Sequence, residues 1–312
     1  MNTINFSIII PHYNIPELLE KLLLTTPYDK EDVEVIVVDD RSDKDLEKLL
    51  EVKHKFGNMG VKFYRNNRGK KGAGTCRNIG MRHATGKWLL FADADDYFVD
   101  DVYEILSRYS DGLMDVVYFK AYSIKMSTGE ESLRHKAYND AVSGYIREGT
   151  EEASLKLRYG IINPWCKLIK RSLAEREKIR FDETIVANDV SFSVKIGFYA
   201  KDITAADQVI YILTEREGSL TRSYDKEIYK LRNKIFIKRC RFLREKLSKD
   251  EWKKLNLTGH ERLIAMVEEG YPYRDVAASA LFYMLNGIRP IDLKQINIRT
   301  MFSTAKEMIG RR

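Results

Sequence analysis

Three carboxylates crowded behind an apolar run are the first chemistry-bearing feature of this chain. Gly86 to Phe98 reads GKWLLFADADDYF, in which Trp88 to Ala92 are all apolar and Asp93, Asp95 and Asp96 follow at once. Residues two apart share a side of an extended segment. Asp93 and Asp95 can therefore bring hard oxygens onto one divalent ion such as Mg²⁺ or Mn²⁺ and leave positions open for phosphate oxygens. The same acids also suit a turn or a helix start, because aspartate hydrogen-bonds nearby backbone. Asp96, ahead of a helical pattern from Val99 to Arg108, fits that second use. The spacing D-x-D alone leaves both readings open.

The elements that must position these acids are legible in outline. Ile4 to Pro11, Val33 to Val38, Val61 to Tyr64, the Trp88 run and Val116 to Tyr122 read as five strands. Helical patterns at Pro16 to Thr26, Asp43 to Phe56 and Gly72 to Ala84 separate the first four. Continuous rather than alternating apolarity marks strands covered on both faces, and the alternation with helices gives βαβ units and a mostly parallel, Rossmann-like α/β sheet. Acids delivered at a strand's carboxyl end then lie in the crevice where open sheets bind ligands. From Ser123 to Gly149 the chain is polar and irregular, with a hairpin expected around Gly129. Short strands are expected at Pro164 to Lys170 and Gln208 to Thr214, and a helix from Asn188 to Phe198. From Tyr224 onward nearly everything reads as helix, so residues 1–222 form the expected α/β domain and 223–312 a basic, all-helical appendage.

Composition narrows the chemistry. The 312 residues are 44% hydrophobic and 32% charged, as in an ordinary globular protein. MNTINFSIIIPHYN reads as a strand stopped by Pro11 rather than as a leader or a membrane span. Three separated cysteines and five scattered histidines show no zinc-ligand spacing and suit a reducing, cytoplasmic setting. The first strand is followed by Pro11, His12, Tyr13 and Asn14, not by G-x-G-x-x-G, and no G-K-[ST] occurs, which argues against dinucleotide or ATP binding through those loops. The net charge of +7 is concentrated between Ile228 and Lys254, where eleven Lys and Arg face three acids, a net of +8. Ile228, Leu231, Ile235, Leu243 and Leu247 recur there at helical spacing, so this segment is expected to lie on an anionic membrane surface, to pack, or to form a contact between copies.

Seven segments in order, SIIIPHYN, VIVVDDRS, GAGTCRNIG, GKWLLFADADDYF, NPWCKLIKRS, FDETIVANDVSF and REGSLTRS, resemble the family 2 glycosyltransferases over about Asn5 to Arg222. The resemblance implies an inverting GT-A enzyme of bacterial surface polysaccharide synthesis, acting on a nucleotide-sugar, UDP-linked by preference, and a glycan or lipid-linked acceptor. It implies that Pro11, Tyr13 and Asn14 border the base, with the Tyr13 ring as a stacking face, and that Asp40 accepts from the base imide while Asp39 braces the turn. Arg77 would grip the diphosphate, with Gly72 and Gly74 letting the backbone approach. Asp95 would ligate the metal, and Asp93 would help hold the ribose or the metal. Asp189 would be the catalytic base, following Asn188 where the family usually has Glu. Trp165 and Lys167 would line the acceptor side, and Arg216, Ser219 and Arg222 would belong to a loop closing over the diphosphate.

Two other classes are expected to fail. A nucleotidyltransferase needs a basic phosphate loop after the first strand, and PHYN has no Lys or Arg. A nucleic-acid binder acting through the basic segment lacks a recognisable binding motif.

Overall fold

The structure, a computed structural model, describes residues 3–215 and 225–292. It forms two compact units, Met1–Ser219 and Leu220–Arg312. The first opens with β1 (Phe6–His12), α1 (Pro16–Thr25), β2 (Val33–Asp39), α2 (Leu46–Gly57), β3 (Lys62–Arg65), α3 (Ala73–His83) and β4 (Trp88–Phe91). It continues with β5 (Tyr97–Phe98), α4 (Val102–Ser107), β6 (Val116–Lys125), α5 (Lys136–Glu148), α6 (Glu151–Leu155), β7 (Lys167–Lys170), α7 (Arg171–Arg176), α8 (Val190–Tyr199) and β8 (Ile203–Glu215).

The eight strands join in the order β3-β2-β1-β4-β7-β6-β8-β5. β1, β2, β3 and β4 run parallel, β7 lies antiparallel between β4 and β6, β6 and β8 are parallel, and β5 is antiparallel to β8. Every residue of β1, β2 and β4 is buried, which is why their sequences carry no polar alternation. Register pairs His12 with Asp39 and Ile9 with Phe91, so the segments following β1, β2 and β4 leave the sheet at one edge.

Two expectations are corrected. β6 runs past Tyr122 to Lys125, and the stretch read as irregular holds the helix α5 after a turn in which Ile124 bridges Glu131 around Gly129. Gly144, Asn139 and Ser143 weaken the helical signal of α5, but the Asn139 side chain donates to Ala121 O (2.8 Å) and accepts from Ala121 N (3.0 Å), tying the helix to a bulged region of β6. The helix expected from Val99 begins only at Val102, because Val99 donates its N–H to Ile210 O and stays with the sheet.

The second unit contains α9 (Lys226–Lys246), α10 (Lys249–Leu255), α11 (His260–Glu268) and α12 (Tyr273–Leu285). Asp225 caps α9, and Ser248 and Glu251 form a capping box at α10. Ile235, Leu243 and Leu247 are buried, so packing claims much of the apolar face that a membrane would need. Residues 293–312, expected to be helical, lie outside the described residues.

At the end of the sheet away from the acids, buried Glu34 accepts from Ser7 Oγ (2.6 Å), Thr85 N (2.5 Å), Gly86 N (3.1 Å) and Lys62 Nζ (2.7 Å). Burial favours its neutral form, yet these donors outweigh burial and hold the carboxyl at about 2, below its ordinary 4.5. A depressed carboxylate contributes stability that is present above about 4.5 and lost as pH falls toward about 2. Glu34→Gln is expected to cost about 2 kcal/mol at neutral pH and to flatten that acid loss in urea unfolding measured across the pH range.

Candidate active site

Where β1 and β2 end, the chain is braced by its own polar groups. Asp39 Oδ1 lies 3.0 Å from His12 Nδ1 and accepts from Ser42 Oγ (2.6 Å), while Oδ2 accepts from Ser42 N (3.2 Å). Burial would raise this carboxyl, but the bonds from His12 and Ser42 hold it at about 2. Ser42 thus serves this turn rather than starting α2, whose N-cap is Asp45. Asn14, in the left-handed region at φ 54°, clamps the loop after β2: its Oδ1 accepts from Asp43 N (2.9 Å) and Lys44 N (3.1 Å). Pro11 is buried within β1, whereas Tyr13 is 44% exposed, with the Lys71 ammonium 4.6 Å from its ring centre.

Asp40 is buried beside this rim. Its carboxylate accepts from Asn66 Nδ2 (2.6 Å) and from Gly72 N (2.7 Å), so it ties the β3–α3 loop to the end of β2. Gly72 needs its freedom, since φ is +127° and a Cβ would stand 3.1 Å from Thr184 O. Gly74 has a different use from the expected approach to a ligand. A Cβ there would sit 2.3 Å from Asp182 O and 2.8 Å from Asn188 Cβ, so the missing side chain lets α3 touch the segment before α8.

That contact sets the centre of the site. Arg77, on α3 and 5% exposed, donates from Nη2 to Asp93 Oδ1 (2.5 Å) and from Nη1 to Asn188 Oδ1 (2.8 Å). The terminal nitrogens expected to grip a diphosphate are directed at protein oxygens, and the guanidinium lies 5.3 Å from the Phe181 ring. Asp93 is further fixed through its N–H, which donates to Tyr211 Oη (2.7 Å).

The acids after β4 differ in environment. Asp96 is buried and accepts from Thr214 N (2.7 Å). Burial, then the charges of Asp93 and Asp95, push its carboxyl well above the usual range, so it serves the fold. Asp93 and Asp95 are half-buried. Among the described residues no group of three or more His, Cys, Asp or Glu could hold a metal ion. Two carboxylates at a sheet edge still suit a hard cation that takes its remaining ligands from phosphate oxygens and water.

Asp189 occupies the N-cap position of α8, yet its side chain makes no capping hydrogen bond. Burial raises its carboxyl, opposed first by the Arg77 charge and also by Lys167, while Asp93 adds to the rise. Lys167, expected on the acceptor surface, lies beneath it: it is 2% exposed, donates to Ile161 O (3.2 Å) and sits 5.3 Å from the Tyr118 ring centre. Burial lowers its ammonium to about 7 against the opposing charge of Asp189. Trp165 is half-buried and packs near Tyr138 and Tyr211, with ring centres 4.9 and 6.2 Å away. Arg216, Ser219 and Arg222 lie outside the described residues.

The structure therefore brings together Arg77, Asp93, Asn188 and Asp189. It adds Tyr211, Asn66 and His12, which sequence reasoning gave no role. Tyr211 sits in an apolar strand pattern, and nothing in that pattern signals a hydroxyl reaching Asp93.

Residues 7–178, more than half of the chain, match the sequence profile described as Glycosyl transferase family 2. The chain belongs to that family. Its α/β sheet with flanking helices is the GT-A fold expected from the motifs, also seen in two solved relatives. Staphylococcus aureus TarS 1–349 in complex with UDP-GlcNAc has a TM-score of 0.61 at 21% identity, over 85% of this chain and 73% of that one. The mannosyltransferase PcManGT from Pyrobaculum calidifontis, in complex with GDP-Man and Mn²⁺, has a TM-score of 0.58 at 17% identity, over 99% and 81%. Among curated family 2 relatives, the poly(ribitol-phosphate) beta-glucosyltransferase of Bacillus spizizenii is 32% identical over 219 residues, 68% of this chain and 32% of that protein. The chain spans about a third of the length of the first curated relatives it matches.

Gly74→Ala tests the contact that assembles the site. The added methyl must push the 182–188 segment from α3 and lengthen the Arg77–Asn188 bond. Turnover of a nucleotide-sugar should fall by about tenfold or more, while the melting temperature moves by only a few degrees.

Proposed function

We propose that this family 2 protein is an inverting, metal-dependent glycosyltransferase. It moves a sugar from a nucleotide donor, UDP-linked by preference, to a hydroxyl of a glycan or lipid-linked acceptor in surface polysaccharide synthesis. One observation carries the reading: a half-buried carboxylate, Asp189, stands at a helix start without capping it, beside an arginine that is bonded to Asp93 after β4. A helix-start acid serving only the fold would be expected to cap.

The base stacks on the exposed ring of Tyr13, a contact of roughly 1–3 kcal/mol, and Asp40 accepts from its imide. Asp95 and Asp93 would hold Mn²⁺ or Mg²⁺, which would supply positive charge to offset that of the departing diphosphate. Arg77 contributes its charge toward the same phosphates while its hydrogen bonds fix Asp93 and Asn188. Asp189 takes the acceptor proton as the hydroxyl attacks the sugar carbon from the face opposite the leaving group, which inverts that centre. Trp165 offers an apolar face to the acceptor sugar. Asn188 keeps the hydrogen bond to Arg77 without adding a second charge beside Asp189. The complexes of TarS with UDP-GlcNAc and of PcManGT with GDP-Man and Mn²⁺ support the choice of donor class and of metal. Three free, buried cysteines agree with a cytoplasmic setting. Attachment to the inner membrane face would run through the basic residues of α9; no described helix is long and apolar enough to cross a membrane.

Asp189→Asn is expected to lower kcat by about 10²- to 10⁴-fold with little change in the donor KM. Unchanged turnover with the native acceptor contradicts the assignment. A panel of nucleotide-sugars scored by Mn²⁺-dependent thermal stabilisation should single out a UDP-sugar, and Asp95→Asn should abolish the Mn²⁺ effect. Sedimentation with anionic liposomes at low salt checks the peripheral attachment, which predicts a bound fraction that falls as salt rises.

A further inference from the structure

Behind the wall that carries Arg77, a second concavity of about 370 Å³ opens on the outer side of α3. Four cations line it: Arg68 and Lys70 from the β3–α3 loop, Arg82 from α3, and Arg180 from the segment before α8. Two acids, Asp182 and Glu183, also line it. Asp182 Oδ2 accepts from Ser191 Oγ (2.6 Å), and Glu183 Oε1 lies 3.4 Å from Arg68 Nη1. Lys70, Arg82 and Arg180 form no ion pair among the described residues. Burial, then the neighbouring Arg68 and Arg180 charges, make the Arg82 guanidinium a poorer holder of its proton than usual, with Glu183 opposing them, so four cations share the concavity with two acids.

The cleft shares its wall with the candidate active site. Asn78 donates to Phe181 O (3.0 Å) and accepts from Phe181 N (2.9 Å), and the opposite side of that wall meets Arg77 through the Phe181 ring. Asp182 N donates to Asn188 O (3.0 Å), one residue before Asp189. Through Asp182, which lines the cleft, an anion seated among these cations would adjoin the segment that carries Asn188 and Asp189.

We propose that this cleft binds a phosphate group of the acceptor, so that the molecule receiving the sugar is a phosphate-bearing glycan or a lipid diphosphate. Guanidinium forks match phosphate oxygens bidentately, and three of them around one concavity favour phosphate over a neutral sugar. The inference rests on the glycosyl-transfer reading and adds the class of acceptor to it.

Calorimetric titration of the full chain with inorganic tripolyphosphate, at saturating UDP to occupy the donor site, tests the cleft. Salt-sensitive binding is expected, weakened about tenfold or more by Arg82→Glu, a substitution that removes no hydrogen bond among the described residues, and further by adding Arg180→Gln. The thermal stabilisation by UDP should be the same in all three proteins. Equal tripolyphosphate binding by wild type and variants, or none at low salt, overturns the proposal. Competition by a glycerol-phosphate oligomer supports a polymer as the source of the phosphate, and competition by a short-chain lipid diphosphate supports a lipid carrier. If neither competes, the acceptor assignment is overturned. Absence of UDP stabilisation in the wild type would instead sink the donor reading, which separates the two failures.

Discussion

One guanidinium ties the two halves of the candidate site together. Arg77 reaches Asp93 at the end of β4 and Asn188 at the start of α8, groups separated by almost a hundred residues of sequence. Its position is over-determined: α3 packs on β1 and β2, Gly74 allows the close approach to Asp182 and Asn188, and the Phe181 ring faces the planar group. A buried arginine with a single carboxylate partner is tolerable only where its remaining donors find oxygens, and Asn188 supplies one. The Nε proton is buried with no partner, so this arrangement holds some unmet polarity at the centre of the site.

The electrostatics follow from that constraint. Of the acids around the edge where donor and acceptor would meet, four differ in their surroundings. Asp39 is held ionised by His12 and Ser42, and Asp96 is pushed toward neutrality by burial and its neighbours. Asp93 is paired with Arg77, while Asp189 is raised by burial and restrained by Arg77 and Lys167. Titratable groups driven apart by their surroundings would let one site combine a metal-binding carboxylate with a proton acceptor, as proposed. Lys167 belongs to this balance from below, as a buried amine interacting with Asp189 rather than a surface contact for sugar.

Much of this was legible in the sequence where burial writes itself into composition. β1, β2 and β4 are apolar but for a few buried polar residues such as Ser7 and Glu34, because both faces are covered, and acids placed directly after such runs fall at a sheet edge. What stayed hidden depends on tertiary partners. The strand KLIK gives no sign that Lys167 points inward, since the same residues suit an amphipathic edge. Helix α5 is weak in its own propensities and is held by the bonds of Asn139 to Ala121. Gly74 reads like any glycine of a ligand loop until its neighbours Asp182 and Asn188, distant in sequence, are known. Asn188 could be spotted as a departure from the family pattern, but only its bond to Arg77 gives it a use.

The central proposal is that Arg77 opposes the rise that burial gives the Asp189 carboxyl while joining the segment before α8 to Asp93. The most direct measurement is the pH dependence of kcat for sugar transfer in Arg77→Gln against wild type. Removing the positive charge leaves burial and Asp93 unopposed by Arg77, so the Asp189 carboxyl should hold its proton to higher pH. The account predicts that the acid limb of the profile moves upward in the variant. An acid limb that stays in place, with only the height of the profile reduced, would contradict it.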